Sequence, residues 1–218
     1  MPSPIAHAAM GYVIYRGVRR WPSGERRLAG LPVLLLFTAG LSLLPDLDIL
    51  LGLATGDFAR YHNNGSHSLV IGLAIALAAA WFARWRWGGA FLTWFGAAYP
   101  SYALHVLMDA LVLEGRGVML FWPFSTERYL SPVCFFFGVR WSTTPWTLDH
   151  LVTTIASELL FALLAFWLSA LIERRSAWRQ AEPGWWKTAK ARLLTIVGYR
   201  GVNPAAAPPA DRGRGRAR

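Results

Sequence analysis

The chain is poor in the groups that build soluble or cross-linked proteins. It has a single cysteine, Cys134, among 218 residues, which excludes an intramolecular disulfide and a thiolate-cluster metal site. The expected place for that thiol is a small buried apolar position rather than a nucleophile's. Charge is scarce: 16% of residues are charged against 55% hydrophobic, with a mean hydropathy of +0.33. This is too apolar for an ordinary soluble domain, and the length is too short for several. Acids are scarcest, 12 against 22 Lys and Arg, for a net charge of +10. The bases cluster in loops and the tail, where anionic membrane lipid is the simpler partner, so nucleic-acid binding is not expected. The first apolar stretch lacks a basic n-region and a small-residue cleavage site, and no signal peptide is expected. No internal repeat is visible.

What is present is a series of apolar runs. Residues 29–44, 66–82, 89–111 and 151–172 can each approach the roughly 20 helical residues that cross a bilayer, and 4–18 forms a shorter amphipathic fifth. The expectation is an all-α, polytopic integral membrane protein of about four to five transmembrane helices plus a C-terminal interfacial amphipathic helix. Placing 16–27, 84–86 and everything after Glu173 on one side collects all Lys and Arg except Arg60, Arg116, Arg128 and Arg140. By the positive-inside rule that side, with the C-terminus, is cytoplasmic in a bacterial inner membrane. All five His then fall in the extracytoplasmic half, with Asp46, Asp48, Asp57, Asp109, Glu114, Glu127, Asp149 and Glu158.

Local signals divide the chain further. Pro45 ends the second helix; 52–65 reads as a loop closing on Asn63-Asn64-Gly65, with Ser66 as N-cap of the next helix. Arg84-Trp85-Arg86 reads as a tight turn, and Pro100 as a kink. Residues 113–150 form an aromatic excursion that either caps the site or anchors the fold at headgroup level. The domain expectation is a membrane-embedded domain over 1–175, a cytoplasmic amphipathic helix over 176–202, and a disordered basic tail over 203–218.

Ionisable groups at the ends of apolar helices are costly unless they pair, ligate or work. His105 and Asp109 stand one helical turn apart, about 6 Å along the axis, and can address one ion. Asp46 and Asp48 follow a helix end, where paired carboxylates attract a divalent cation. His67 is expected in the first turn of the next helix, where the dipole keeps imidazole neutral. His62 is expected to steady a metal-binding side chain from behind or to touch the substrate, and Ser68, next to His67, is expected as a further substrate contact. His7 lies in the first turn or so of the first helix, facing the same side. Glu158, two turns into the last helix, is expected to ligate, bridge to a ligating His or be protonated; Asp149 is expected as that helix's N-cap.

In order, these elements are His7, Pro45-Asp46-Leu47-Asp48, His62 through His67-Ser68, His105-x-x-x-Asp109 and Gly117-Val118 through Trp122-Pro123. The pattern resembles the YdjM-like, LexA-regulated family of bacterial inner-membrane metal-dependent hydrolases, over about residues 1–173. Asn63 stands where the family has Arg, and Gly65 where it has an aromatic. The resemblance implies a polytopic membrane protein with a hydrolase site and a divalent metal, most simply zinc. A more distant similarity to zinc-dependent phospholipases C implies phosphoester cleavage.

The expected function is therefore a membrane hydrolase in which His7, Asp46, Asp48, His67, His105 and Asp109 hold one or two zinc ions at the extracytoplasmic face. Glu158 or Asp48 would be the general base, His62 and Ser68 substrate contacts, and a phospholipid or lipid-linked phosphoester the substrate. The alternatives are a noncatalytic protein with a structural metal or scaffold role, and a cation transporter.

Overall fold

The computed structural model describes residues 2–19, 31–113, 115–137 and 148–180. The order is α1 (Pro4–Val18), α2 (Leu31–Leu43), a 3-10 turn (Pro45–Leu47), α3 (Asp48–Thr55), α4 (Phe58–Tyr61), a second 3-10 turn (Gly65–His67), α5 (Leu69–Trp87), α6 (Phe91–Asp109) and α7 (Leu148–Gln180). Among the described residues there is no strand, only isolated bridges between Val112 and Phe136 and between Val118 and Tyr129. Contacts divide the chain into Met1–Ile172 and Glu173–Arg218. Of the second unit, only the end of α7, as far as Gln180, is described. The expected amphipathic helix beyond residue 180 and the tail lie outside the described residues, as do Arg20–Gly30, Glu114, Arg140, Trp141, Pro145 and Trp146.

α6 is the hub of the first unit, packing on α5, α2 and α1. Its partner face on α5 is a stripe of small residues, Gly72, Ala76, Ala80 and Ala83, all buried. Small side chains let apolar helices approach closely where lipid removes the hydrophobic drive for their association. At Gly72 a Cβ would lie 2.4 Å from the Tyr102 ring. With hydrogen there, the ring seats against α5 and the Tyr102 hydroxyl donates to the carbonyl of Ser66. α1 and α7 run parallel: Ser3 meets Glu158 at one end, and Arg16 donates to Ser169 at 3.1 Å nearer the other.

Several local expectations are corrected. The reversal after α5 falls not at 84–86, which remains helical, but at Gly88 and Gly89, whose φ angles of 76° and 82° disfavour any residue with a Cβ. The expected loop 52–65 contains the second half of α3 and all of α4; α3 follows the Pro45 turn at a 57° bend to α2 and ends at left-handed Gly56. Pro100 is accommodated within a continuous α6. α7 begins at Leu148, so Asp149 sits inside its first turn rather than before it; the side chains of Asp149 and His150 lie outside the described residues. Cys134 is exposed, not buried.

Among the described residues two helices are long and apolar enough to cross a membrane, Leu69–Trp87 and Val152–Arg174, or three if the bent pair Pro32–Leu43 and Pro45–Thr55 counts as one span. The four to five expected spans are thus not all met. α1 has only 15 residues, and α6 devotes Thr93, Ser101, His105 and Asp109 to its buried face, which lowers its hydropathy.

Candidate metal centre

The break between α2 and α3 begins the site. Pro45 cannot donate to the helical ladder, so the backbone tightens into a 3-10 turn that carries Asp46 and leads into Asp48, both buried at the corner. The turn before α5 brings His62 and His67, the last turn of α6 brings His105 and Asp109, and the start of α1 brings His7. Asn63 takes a left-handed φ of 59°, which its short polar side chain tolerates, and lets the chain reverse between the two histidines.

Two donor groups result. In the first, one ligand atom each from Asp46, His67, His105 and Asp109 lies within 4.8 Å of the others. His67 Nε2 is 2.9 Å from Asp109 Oδ2, 3.6 Å from Asp46 Oδ1 and 3.3 Å from His105 Nε2. His105 Nε2 is 3.5 Å from both Asp46 Oδ1 and Asp109 Oδ2. In the second group, Asp48, His62 and His67 meet the same criterion. Asp48 Oδ1 is 2.8 Å from His62 Nδ1, and its Oδ2 is 3.3 Å from His67 Nδ1. His67 belongs to both, with one ring nitrogen turned to each.

The outer nitrogens orient the inner ones. His105 Nδ1 lies 2.7 Å from the carbonyl oxygen of Ser42, which can only accept. That edge therefore carries the proton, and Nε2 is left with its lone pair toward Asp46 and Asp109. Asp48 Oδ2 fixes His67 in the same sense and is itself held by the Ser66 hydroxyl at 2.5 Å. Two imidazole nitrogens facing each other, with two carboxylates around them, form a set of acceptors short of a positive partner.

The four oxygens of Asp46 and Asp109 are buried with no hydrogen-bond partner, as are both ring nitrogens of His7 and Nε2 of His62. Stranded carboxylates are costly in a poorly solvated interior. A divalent cation answers all of these acceptors at once, and two imidazoles with two carboxylates suit the borderline preference of zinc. The residues present therefore fit a metal ion. Burial by itself lowers the proton affinity of His67, but the carboxylates of Asp109, Asp46 and Asp48, close around the ring, outweigh it and raise its pKa well above that of ordinary imidazole. A proton and a cation thus compete for this ring.

Of the residues singled out in the sequence, Asp46, Asp48, His62, His67, His105 and Asp109 converge. His7 adjoins them: its ring stacks on His105 with centroids 3.7 Å apart, and Nε2 is 3.4 Å from Asp109 Oδ1. His67 lies in the 3-10 turn before α5 rather than in the helix's first turn, and the N-cap is Ser68, not Ser66. Ser68 Oγ donates toward the carbonyls of Leu120 and Trp122 and accepts from Val70 and Ile71, which fills its bonding capacity in a fully buried position. Glu158 is not brought into either donor group. Oε1 accepts from the Ser3 amide at 2.5 Å and Oε2 from the Ser3 hydroxyl, so its carboxylate holds the start of α1 beside α7.

The excursion after α6 folds onto the histidine turn. Leu69 donates its amide to Leu120 at 2.9 Å, and the Trp122 ring covers Gly65. Ser42 and Tyr102, which brace the site, were not singled out in the sequence, and Ser66 was expected only as an N-cap. Ser66, between two histidines, offered a positional hint; the Ser42 carbonyl offered none.

A helical protein with at least two membrane-length helices and a nitrogen-oxygen donor cluster at one end of its bundle is the class defined here. The chain belongs to the YdjM inner membrane protein family, whose profile matches residues 1–199. It is similar to "Inner membrane protein YbcI" of Escherichia coli (strain K12), with 29% identity over 182 residues, covering 82% of this chain and 98% of that relative. No solved structure matches.

Proposed function

We propose that the protein is a multi-pass inner-membrane hydrolase that uses one or two zinc ions at the extracytoplasmic face to cleave a phosphoester, in a phospholipid or lipid-linked substrate. The observation that carries this reading is the convergence of Asp46, His67, His105 and Asp109, with four buried carboxylate oxygens lacking a hydrogen-bond donor. These four residues would hold the first ion with His7 alongside, and Asp48 with His62 would brace His67 or hold a second. When bound, such an ion acidifies a water near neutrality and polarises the scissile oxygen.

The chain's own residues supply the rest. Asp48 Oδ1 anchors the Nδ1 proton of His62, which leaves His62 Nε2, buried and without a partner, as a proton acceptor beside the donor cluster. Asp48 thereby serves as the carboxylate of the acid-base pair. Glu158, the other expected base, is engaged through both oxygens by Ser3, which favours a role in holding α1. The excursion over the histidine turn limits water and presents Phe124, Val133 and Phe135, all exposed, for contact with membrane lipid. Four to five spans, with the basic loops and C-terminus cytoplasmic, place all donor residues on the outer side.

A structural metal site is favoured by one observation: His7, His67, His105 and Asp109 are almost wholly buried, and closed coordination suits a structural ion. Hydrolysis assays separate the two readings. Zinc-loaded protein should release phosphate or headgroup from a panel of phospholipids and soluble phosphoesters, and chelation, Asp46→Ala or His105→Ala should abolish it. Activity that survives all three removes the hydrolase reading, and its absence in fully loaded protein favours the structural one.

A further inference from the structure

The excursion that folds over the site also brings two cations to the histidine turn. Arg116 Nη2 donates to the carbonyl of His62 at 3.0 Å. Arg128 Nη1 donates to the carbonyls of Asn63 and Gly117 at 3.1 and 3.0 Å, while its Nη2 binds the side-chain oxygen of Asn64. The carbonyls of His62 and Asn63 are neighbours along the chain, so the two guanidinium groups are fixed close together on the segment that also presents the His62 ring.

The partners of Arg128 are neutral oxygens throughout, and no carboxylate pairs with it among the described residues. Partial burial, and then the charge of Arg116, hold its pKa below the usual arginine value. Like charges fixed together repel, and the repulsion turns to attraction when an anion sits between them. Arg128 keeps its Nε–H and one Nη2–H for such a partner. Arg116 is exposed and Arg128 half-buried, so the pair is reached from solvent. A guanidinium fork matches the tetrahedral oxygens of a phosphoryl group better than those of small spherical anions.

We propose that Arg116 and Arg128 form an anion subsite at the edge of the donor cluster that takes the phosphoryl group of the substrate, in a lipid headgroup or a free phosphate. This deepens the hydrolase reading and rests on it for the identity of the ligand as substrate; anion binding itself needs no metal. The test is calorimetric titration of the full chain in detergent with inorganic phosphate and with a soluble short-chain phosphatidic acid, alongside zinc analysis of every sample. Arg116→Gln and Arg128→Gln should each weaken binding by about tenfold or more at unchanged zinc content, and Arg116→Lys should restore much of it. Tighter binding of the lipid than of inorganic phosphate supports a headgroup subsite; equal binding supports a free-phosphate subsite.

Arg128 also clamps the turn, so a misfolded Arg128→Gln leaves the decision to Arg116→Gln and its lysine rescue. The proposal is overturned if folded Arg116→Gln binds both probes as tightly as wild type, or if neither probe binds wild type. Arginine-dependent binding to a wild type that takes up no zinc would support the subsite while removing the hydrolase reading.

Discussion

A carboxylate buried without a hydrogen-bond donor is an unstable residue until something positive meets it, and Asp109 is the clearest case in this protein. Its Oδ2 lies 2.9 Å from His67 Nε2 and 3.5 Å from His105 Nε2, with neither contact in hydrogen-bond geometry. The residues around His67 raise its pKa, so below that value cation uptake displaces a proton from the ring. Affinity should therefore rise as the pH is raised toward that value and fall on acidification. Equilibrium dialysis against zinc at about pH 5 and about pH 8 is expected to show weaker retention at the lower pH. Equal retention would mean that His67 is not a ligand. Ser3 gives a second prediction: Ser3→Ala removes an N-cap and one of the two donors to Glu158, leaving Oε2 unpaired while the main-chain amide still meets Oε1, with an expected loss of about 1–3 kcal/mol in thermal or denaturant unfolding. Ser3→Ala with Glu158→Leu should recover part of it, since the half-satisfied buried carboxylate is then gone.

At the level of elements, the site depends on how closely α5 and α6 approach. Gly72→Ala places a methyl 2.4 Å from the Tyr102 ring and should cost about 1–3 kcal/mol, read as a lowered Tm, while loosening the hydroxyl bond that steadies Ser66. Tyr102→Phe, which keeps the ring and loses only that bond, should cost about 0.5–1.5 kcal/mol. These elements also show what the sequence made legible. α1 follows the amphipathic pattern of 4–18, and α5 and α6 lie within the expected apolar runs apart from their ends. α3 and α4 went unread because Gly52 and Gly56 look like loop signals; the first is buried inside a helix and only the second ends one. The reversal after α5 was misplaced because Arg84 and Arg86 suggested polarity, whereas Gly88 and Gly89 supply the geometry. The donor residues were legible because an acid or imidazole stands out against hydrocarbon. Their bracing was not: the acceptor for His105 is a main-chain carbonyl, which leaves no mark on residue type.

On the scale of the whole molecule, the account requires one end of the bundle to face outward. The donor residues come from the start of α1, the corner after α2, the turn before α5 and the end of α6, while Arg16, Arg84 and Arg86 lie at opposite helix ends. Cysteines introduced at Asp57 and Glu127, in a chain with Cys134 replaced, should react with a membrane-impermeant maleimide in intact cells. One introduced at Arg86 should react only after lysis, and the reverse pattern would invert the orientation.

The central claim is that four segments, distant in sequence, assemble one cation-binding cluster, and elemental analysis of purified protein tests it most directly. Wild-type protein prepared without added chelator should carry one to two equivalents of a divalent transition metal, and folded His105→Ala and Asp109→Asn should fall well below one. Wild-type protein that stays metal-free after incubation with zinc, or folded variants that retain the full complement, would contradict the account.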